Sequence, residues 1–201
     1  MKTDNMPEVS FGDYKLRTLL KKDAHDYYEI GKDPINIKYL TWRPFKTLSQ
    51  AKSAIKNIYY KRLNHKEPIG YAIIDIPNNK MIGIIEFHTF DYSENSAQVG
   101  YLLHKDYWGQ GIMSQALKEL IKVGFETLNL NKIIIKSIKE NIGSRKVIEH
   151  NNLILIDILK LHHYHVKTKT YHDVFVYEIE RKNYYGTKTK GDLWFTPQWN
   201  N

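Results

Sequence analysis

Two glycines one residue apart, Gly109 and Gly111, stand directly before the cleanest helical pattern in the chain, "IMSQALKELIKVGFETL". A strand-like segment, "SAQVGYLLHK", precedes them, and a short apolar one, "KIIIKSI", follows the helix. Strand, helix and strand joined by a crossover of this length predict a parallel βαβ unit, and the rest of the chain must be arranged around it. The first turn of a helix leaves backbone N–H groups without partners, and its dipole adds roughly half a positive charge there. Glycine removes the Cβ that would hold a bulky anion away. The turn therefore reads as a phosphate or pyrophosphate site made of backbone at the end of a strand, to which Ser114 can add a hydroxyl. The plainer alternative is that the glycines only turn the chain. A Walker loop, G-x-x-x-x-G-K-S/T, is absent. A dinucleotide fingerprint would need a third glycine where Ser114 stands, and it belongs near the first strand rather than in mid-chain.

Around this unit the patterning is mixed. "YKLRTLL" predicts a first strand, and "KKDAHDYYEIGKD" a short helix with Asp23 as its N-cap. "TLSQAKSAIKNIYYKRLN" predicts one longer helix, with Ala51, Ala54, Ile55, Ile58 and Tyr59 at helical spacing. "PIGYAIIDI" and "KMIGIIEFHTF", separated by "PNNK", predict a hairpin that the strand at 96–105 extends into a meander. "NIGSRKVIEHN" predicts a helix capped by Asn141, with Asn152 in the left-handed turn after it. "LILIDILKL" and "DVFVYEIERK" predict a closing antiparallel pair. The boundaries read as an N-terminal extension at 1–12, a single domain at 13–183 and an aromatic tail at 184–201.

The totals exclude several classes. With no cysteine among 201 residues there is no thiolate nucleophile, disulfide framework or cysteine zinc site. No apolar run approaches the ~18 residues of a membrane span, and the first residues lack the apolar core of a secretory leader, so the expected compartment is the cytoplasm. The formal charge of +8 suggests an anionic partner without naming it. Its lysines are scattered, and neither a base-stacking motif nor a recognition helix is evident, which ranks nucleic acid last.

Taken in order, Gly100, Tyr101 and Leu103, then Trp108, Gly109 and Gly111, then Asn141 and Ser144, resemble the core of a GNAT-superfamily acetyltransferase. The branch most resembled holds ribosomal-protein N-terminal (alanine/serine) acetyltransferases and their small-molecule relatives. The resemblance implies a mixed α/β fold: a largely antiparallel twisted sheet with one parallel βαβ crossover, a splayed strand pair and helices on both faces. It implies acetyl-coenzyme A as cosubstrate and no metal. The pyrophosphate would sit at Gly109 on the backbone amides of Gln110, Gly111, Ile112, Met113 and Ser114. The pantetheine arm would run along Tyr101, Leu102, Leu103 and His104 as an added strand does. Asn141 matches the position that contacts this arm, and Ser144 a group that positions or protonates the departing thiolate. The chain departs from the pattern at Trp108 and Met113, where the wider superfamily favours Gln/Arg and Gly/Ala. Ile148 stands where many relatives carry a tyrosine acid, and Gln98 where the branch often carries glutamate.

Acetyl transfer needs a neutral amine, and an α-amino group, with a pKa near ~7.7–8.0, needs less help than a lysine near ~10.4. Without cysteine, direct attack within a ternary complex is the economical route. Glu86 is the first candidate base, on a strand after an apolar run where its pKa could rise. Alternation leaves its face open: the plainer reading is that it points to solvent or pairs with a lysine. His88 shares that face, and Tyr101 could offer a hydroxyl near the thioester. Of the front aromatics, Trp42 and Phe45 in "TWRPFKT" are the expected acceptor contacts, with Tyr27, Tyr28, Tyr59 and Tyr60 expected mostly in the core. "LHHYH" sets His163 and His165 on one strand face, short of the three or four convergent ligands that zinc requires. The implied function is N-acetylation of a primary amine, on a protein N-terminus or a small molecule, by a monomer or homodimer acting on neither nucleic acid nor membrane. The rival reading is a non-catalytic acyl-coenzyme A sensor of the same fold.

Overall fold

The computed structural model describes residues 6–165 and 169–186. Among these residues eight strands form one sheet in the order β1-β2-β3-β4-β5-β6-β8-β7. They are β1 (Val9–Phe11), β2 (Tyr14–Thr18), β3 (Tyr71–Asp75), β4 (Lys80–Asp91), β5 (Ser96–Leu103), β6 (Lys132–Ile138), β7 (Ile154–His165) and β8 (Thr170–Glu180). Every neighbouring pair is antiparallel except β5 and β6. Among the described residues five α-helices accompany them: α1 (Ala24–Lys32), α2 (Leu48–Ala54), α3 (Ile112–Glu126), α4 (Ile142–His150) and α5 (Arg181–Gly186).

Strand alternation sorts the core into two layers. Ile85 and Phe87 of β4 and Val99 and Leu103 of β5 pack with Leu117, Leu120 and Ile121 of α3 and Ile148 of α4. Ile84 and Leu102, one residue out of phase, pack on the opposite face with Tyr27 and Ile30 of α1 and Ala51 of α2. The expectation of helices on both faces of a mixed sheet holds.

The parallel pairing is short. It joins Ser96 to Lys132, Ala97 to Ile133 and Gln98 to Ile134, and then stops. Beyond Gln98 the strands part, because β5 stays on β4 up to Leu103 while β6 stays on β8 up to Ile138. The gap between them is the expected splay.

Four local readings need correction. The 1–12 extension is part of the fold: β1 pairs with β2, and Met6 and Phe11 are buried in the core. Asp23 starts α1 without capping it. Its carboxylate instead accepts two bonds of 2.7 Å from Arg17 and one of 2.8 Å from the Leu20 N–H, which anchors the turn before the helix. The long helix from Leu48 is not uniform. It widens into a π-helical turn at Ile55–Tyr59 and tightens into a 3-10 turn at Tyr60–His65, a deviation often found beside functional sites. The last strand ends at Glu180 and α5 follows, where a strand end and a tail were expected. Asn152 does take the left-handed conformation, at φ 60°. The tail aromatics Trp194, Phe195 and Trp199 lie outside the described residues.

Candidate active site

Two clefts open on either side of the splay and meet across it. The first, about 600 Å³, runs from Trp108, Gly109, Gly111 and Ser114 to Asn141 and Val147. The second, about 540 Å³, lies on the α1–α2 face and includes Trp42, Arg62, Glu86, His88 and Lys136. Tyr101, Leu102, Asn141 and Ser144 line both.

The first cleft is largely backbone. Gly109 and Gly111 sit at φ 75° and 76°, in the left-handed region, and a Cβ on either would meet nothing within 4 Å. The glycines are thus needed for the path of the chain, and the space above them is open. Gly111 is the N-cap of α3. Among the described residues no acceptor is found for the backbone N–H groups from Gly109 to Ser114, the next amide, Gln115, being bound to the Gly111 carbonyl at 3.0 Å. Such a run of aimed donors suits a pyrophosphate. The Ser114 hydroxyl accepts from Asn151 Nδ2 at 3.2 Å, which leaves its own proton to donate. Ile112 and Met113 turn their side chains into the core. Methionine at 113 therefore takes nothing from the open side of the turn.

The wall of the splay offers more donors and acceptors. The His104 N–H donates to the Ile82 carbonyl at 2.8 Å, so alternation turns the peptide groups of Tyr101 and Leu103 away from β4 and toward the gap. Leu103's carbonyl accepts the Trp108 indole N–H at 2.8 Å, which fixes a half-exposed ring beside the glycine turn. His104 was expected along the pantetheine arm, yet it lines neither cleft. Its N–H is spent on β4, and its imidazole caps a short turn by accepting from the Asp106 N–H at 3.3 Å.

At the junction, Asn141 caps α4 as expected, its Oδ1 accepting from the Ser144 N–H at 3.2 Å. The Ser144 hydroxyl lies 2.7 Å from the Tyr101 hydroxyl. Burial pushes the Tyr101 phenol well above its usual pKa, so it stays protonated near neutral pH and can donate a hydrogen bond.

The second cleft is built from side chains. Glu86 faces it, mostly buried, with Oε2 held by Arg62 Nη1 at 2.5 Å. Both possibilities left open for Glu86 are half met: it faces the cleft, and it is paired, with an arginine. Burial raises its pKa, and Arg62 pulls it back down by charge and hydrogen bond. The same Nη1 donates to the Phe87 carbonyl at 3.2 Å, and the guanidinium lies over the Tyr59 ring at 5.1 Å. Tyr59 in turn shares a 3.2 Å hydrogen bond with Tyr27. His88 is on the same wall. Burial first, then Arg62 and Lys136, push its imidazole down to about 4, so it is neutral near pH 7 and a weak base. Trp42 lines this cleft, but Phe45 does not. It stacks behind Trp42 at 4.9 Å and edge-on to Tyr27 at 5.1 Å, so it supports the wall rather than forming it. His162 and His163 also line the cleft, while the His165 side chain lies outside the described residues. Among the described residues no cluster of His, Cys, Asp or Glu suits a metal ion.

Sequence reasoning missed Arg62, Lys136 and Asn151. Nothing in the "YKRLN" pattern distinguishes Arg62 from a solvated helix residue, and only the π turn before it hints at special placement.

Comparison with known proteins gives this geometry its family. A model for the acetyltransferase (GNAT) domain matches residues 14–153. The chain is 31% identical over 171 residues to an uncharacterized N-acetyltransferase, p20, of Bacillus licheniformis, a match that covers 85% of this chain and 94% of the relative. It is 28% identical over 121 residues to the ribosomal-protein-serine acetyltransferase of Escherichia coli, over 60% of this chain and 66% of that one. A spermidine N-acetyltransferase from Vibrio cholerae, solved with coenzyme A and spermine, superposes with a TM-score of 0.75 at 18% identity, covering 86% of this chain and 98% of the other. An open glycine turn at a helix start, a sheet split beside it and a domain match across most of the chain agree: this protein belongs to the GNAT family of acetyltransferases.

Proposed function

We propose that this acetyltransferase moves the acetyl group of acetyl-coenzyme A directly onto a primary amine, on a protein N-terminus or a small molecule, with both substrates bound together. The observation that carries the reading is the junction of the two clefts at Tyr101 and Ser144, which joins a phosphate-binding turn to a wall bearing a buried carboxylate. The donor supplies a thioester. Backbone amides from Gly109 to Ser114 hold its pyrophosphate, and the peptide group of Tyr101 and the N–H of Leu103 pair with its arm as an added strand would. The Asn141 amide donates to the same arm.

The acceptor enters from the Trp42 side. Glu86 receives the proton that the nitrogen must lose as the carbon–nitrogen bond replaces the carbon–sulfur bond. Arg62 occupies Oε2, so Oε1 is the basic atom, directly or through one water. His88 is the weaker alternative, since its imidazole is neutral but pushed down to about 4. Tyr101 and Ser144 share one hydrogen bond, which leaves one of the two hydroxyl protons to donate to the departing sulfur. The raised phenol favours donation of a hydrogen bond over full loss of its proton, because a thiol, near ~8.5, is the stronger acid.

The test is calorimetric titration with acetyl-coenzyme A, followed by thiol release with a panel of amines and N-terminal peptides. Binding with thiol release that depends on the acceptor is the expected result. Binding without release from any amine would overturn the catalytic reading, and absence of binding would overturn the assignment of the glycine turn.

A further inference from the structure

The geometry points to an acceptor that is itself an anion: a primary amine carrying a carboxylate or a phosphate on the same molecule, with Lys136 as the residue that receives this group. The inference rests on the acetyl transfer proposed above and adds the substrate class.

Glu86 of β4 stands opposite Gly100 of β5. The parallel pairing joins Gln98 to Ile134, so two residues further on it would have set Gly100 opposite Lys136, had the strands not parted. Glu86, Gly100 and Lys136 therefore form one row across the split, all on the α1–α2 face, with the carboxylate on one side and the ammonium on the other. Strand spacing puts β4 and β6 about 10 Å apart before the splay widens the gap. Gly100 keeps the floor between them clear. A Cβ there would stand 3.2 Å from His88 Nε2 and 3.8 Å from Glu86 Oε1.

The charge of the cleft agrees with this row. Among the described residues lining this cleft, Glu86 is the only carboxylate, and Arg62 already neutralises it. Lys136 is exposed, and no ion pair of Lys136 is found among the described residues. Its charge is felt in the cleft, where it helps to depress His88. A polyamine would enter a cleft whose one carboxylate is occupied and whose remaining fixed charge is positive, an arrangement that repels it. A molecule with an amine at one end and an anion at the other matches the row: amine at Glu86 Oε1, anion at Lys136.

The experiment compares the kcat/KM of the wild-type protein on matched amines. Glycylglycine against glycylglycinamide tests a carboxylate, O-phosphoethanolamine against ethanolamine tests a phosphate, and spermidine serves as the polycation. At least one anionic member should exceed its neutral partner by about tenfold, the worth of one charge-assisted hydrogen bond, and the pair that shows the larger ratio names the anion. Lys136→Met should bring that ratio close to one, and Lys136→Glu should invert it. Each ratio is taken within one variant, so partial misfolding cancels. Lys118→Met, on the exposed side of α3, removes the same net charge elsewhere and should keep the wild-type ratio. A ratio near one in the wild type, a preference for spermidine, or a preference that survives Lys136→Met would each overturn the inference while leaving acetyl transfer intact. No turnover of any member would overturn the parent reading, and this one with it.

Discussion

The turn at Gly109–Ser114 and the wall at Arg62–Glu86 flank the same split in the sheet, and they are made by opposite means. The turn is contiguous in sequence and presents backbone N–H groups, with its side chains buried beneath it or, like Gln110, exposed. The wall joins side chains from separate elements, Arg62 from the 3-10 turn after α2 and Glu86 from β4. A backbone site tolerates changes of side chain but not of φ. A side-chain site tolerates neither loss of a charge nor loss of its partner, because each buried charge depends on the other.

The strongest way to break this contrast is Glu86→Gln. The amide keeps the shape and can no longer accept the proton, so kcat/KM should fall by about a hundredfold or more. Acetyl-coenzyme A affinity, read by calorimetry, should stay unchanged. Equal losses in rate and cofactor affinity would show that the two regions are not separate.

Gly111→Val tests the other side. A β-branched residue at φ 76° costs roughly 1–2 kcal/mol, and its side chain would occupy the space now open above the turn. Acetyl-coenzyme A should bind about tenfold more weakly or worse. Gln110→Ala, in the same turn, should bind it normally, since that side chain only reaches back to the Asp106 carbonyl. A larger effect from Gln110→Ala than from Gly111→Val would mean that the turn works through side chains after all.

Arg62→Met separates the pair without touching the carboxylate. It removes the influence that lowers the Glu86 pKa and leaves burial, which raises it. A base acts in its deprotonated form, so the acidic limb of the kcat/KM profile should move to higher pH. The stability effect has the matching sign. With its folded pKa above its unfolded value, Glu86 favours the fold when protonated, and that contribution is lost as pH rises through the folded pKa. The variant's deficit in Tm should therefore shrink as pH falls. An unmoved limb would transfer the acid-side pKa to another group.

This contrast also explains what could be read in the sequence. The crossover, the glycine turn, the Asn141 cap and the Asn152 turn are local, since each depends on residues within a few positions and on backbone rules that leave marks in the chain. The splay was legible only through family resemblance, because nothing in "VGYLLHK" or "KIIIKSI" shows that their pairing stops after Gln98 and Ile134. The Arg62–Glu86 pair could not be read at all: its partners lie far apart in the chain, and the π turn that aims Arg62 has no signature of its own. The placements of Phe45 and His104 are of another kind: their partners, the Trp42 ring and the Asp106 N–H, stand only three and two residues away, but residue type does not say which neighbour a ring will engage. Asp23 failed because a capping residue type marks a helix start without saying which N–H it will bind.

Asn141 belongs to both regions, and the smallest expected effect is the most discriminating. Its Oδ1 caps α4, while its Nδ2 takes no part in that cap. Asn141→Ala removes both functions and should cost about 1 kcal/mol of stability, the usual worth of an N-cap. Asn141→Ser retains a capping oxygen and loses only the amide donor. If the amide also serves the cofactor, the serine variant should recover the wild-type Tm while its acetyl-coenzyme A affinity stays several-fold low, alongside alanine, by about the worth of one hydrogen bond. If Asn141 serves only as a cap, serine should restore affinity and Tm together. The cleft at the glycine turn would then rest on backbone alone at this point, and its contrast with the Arg62–Glu86 wall would be complete.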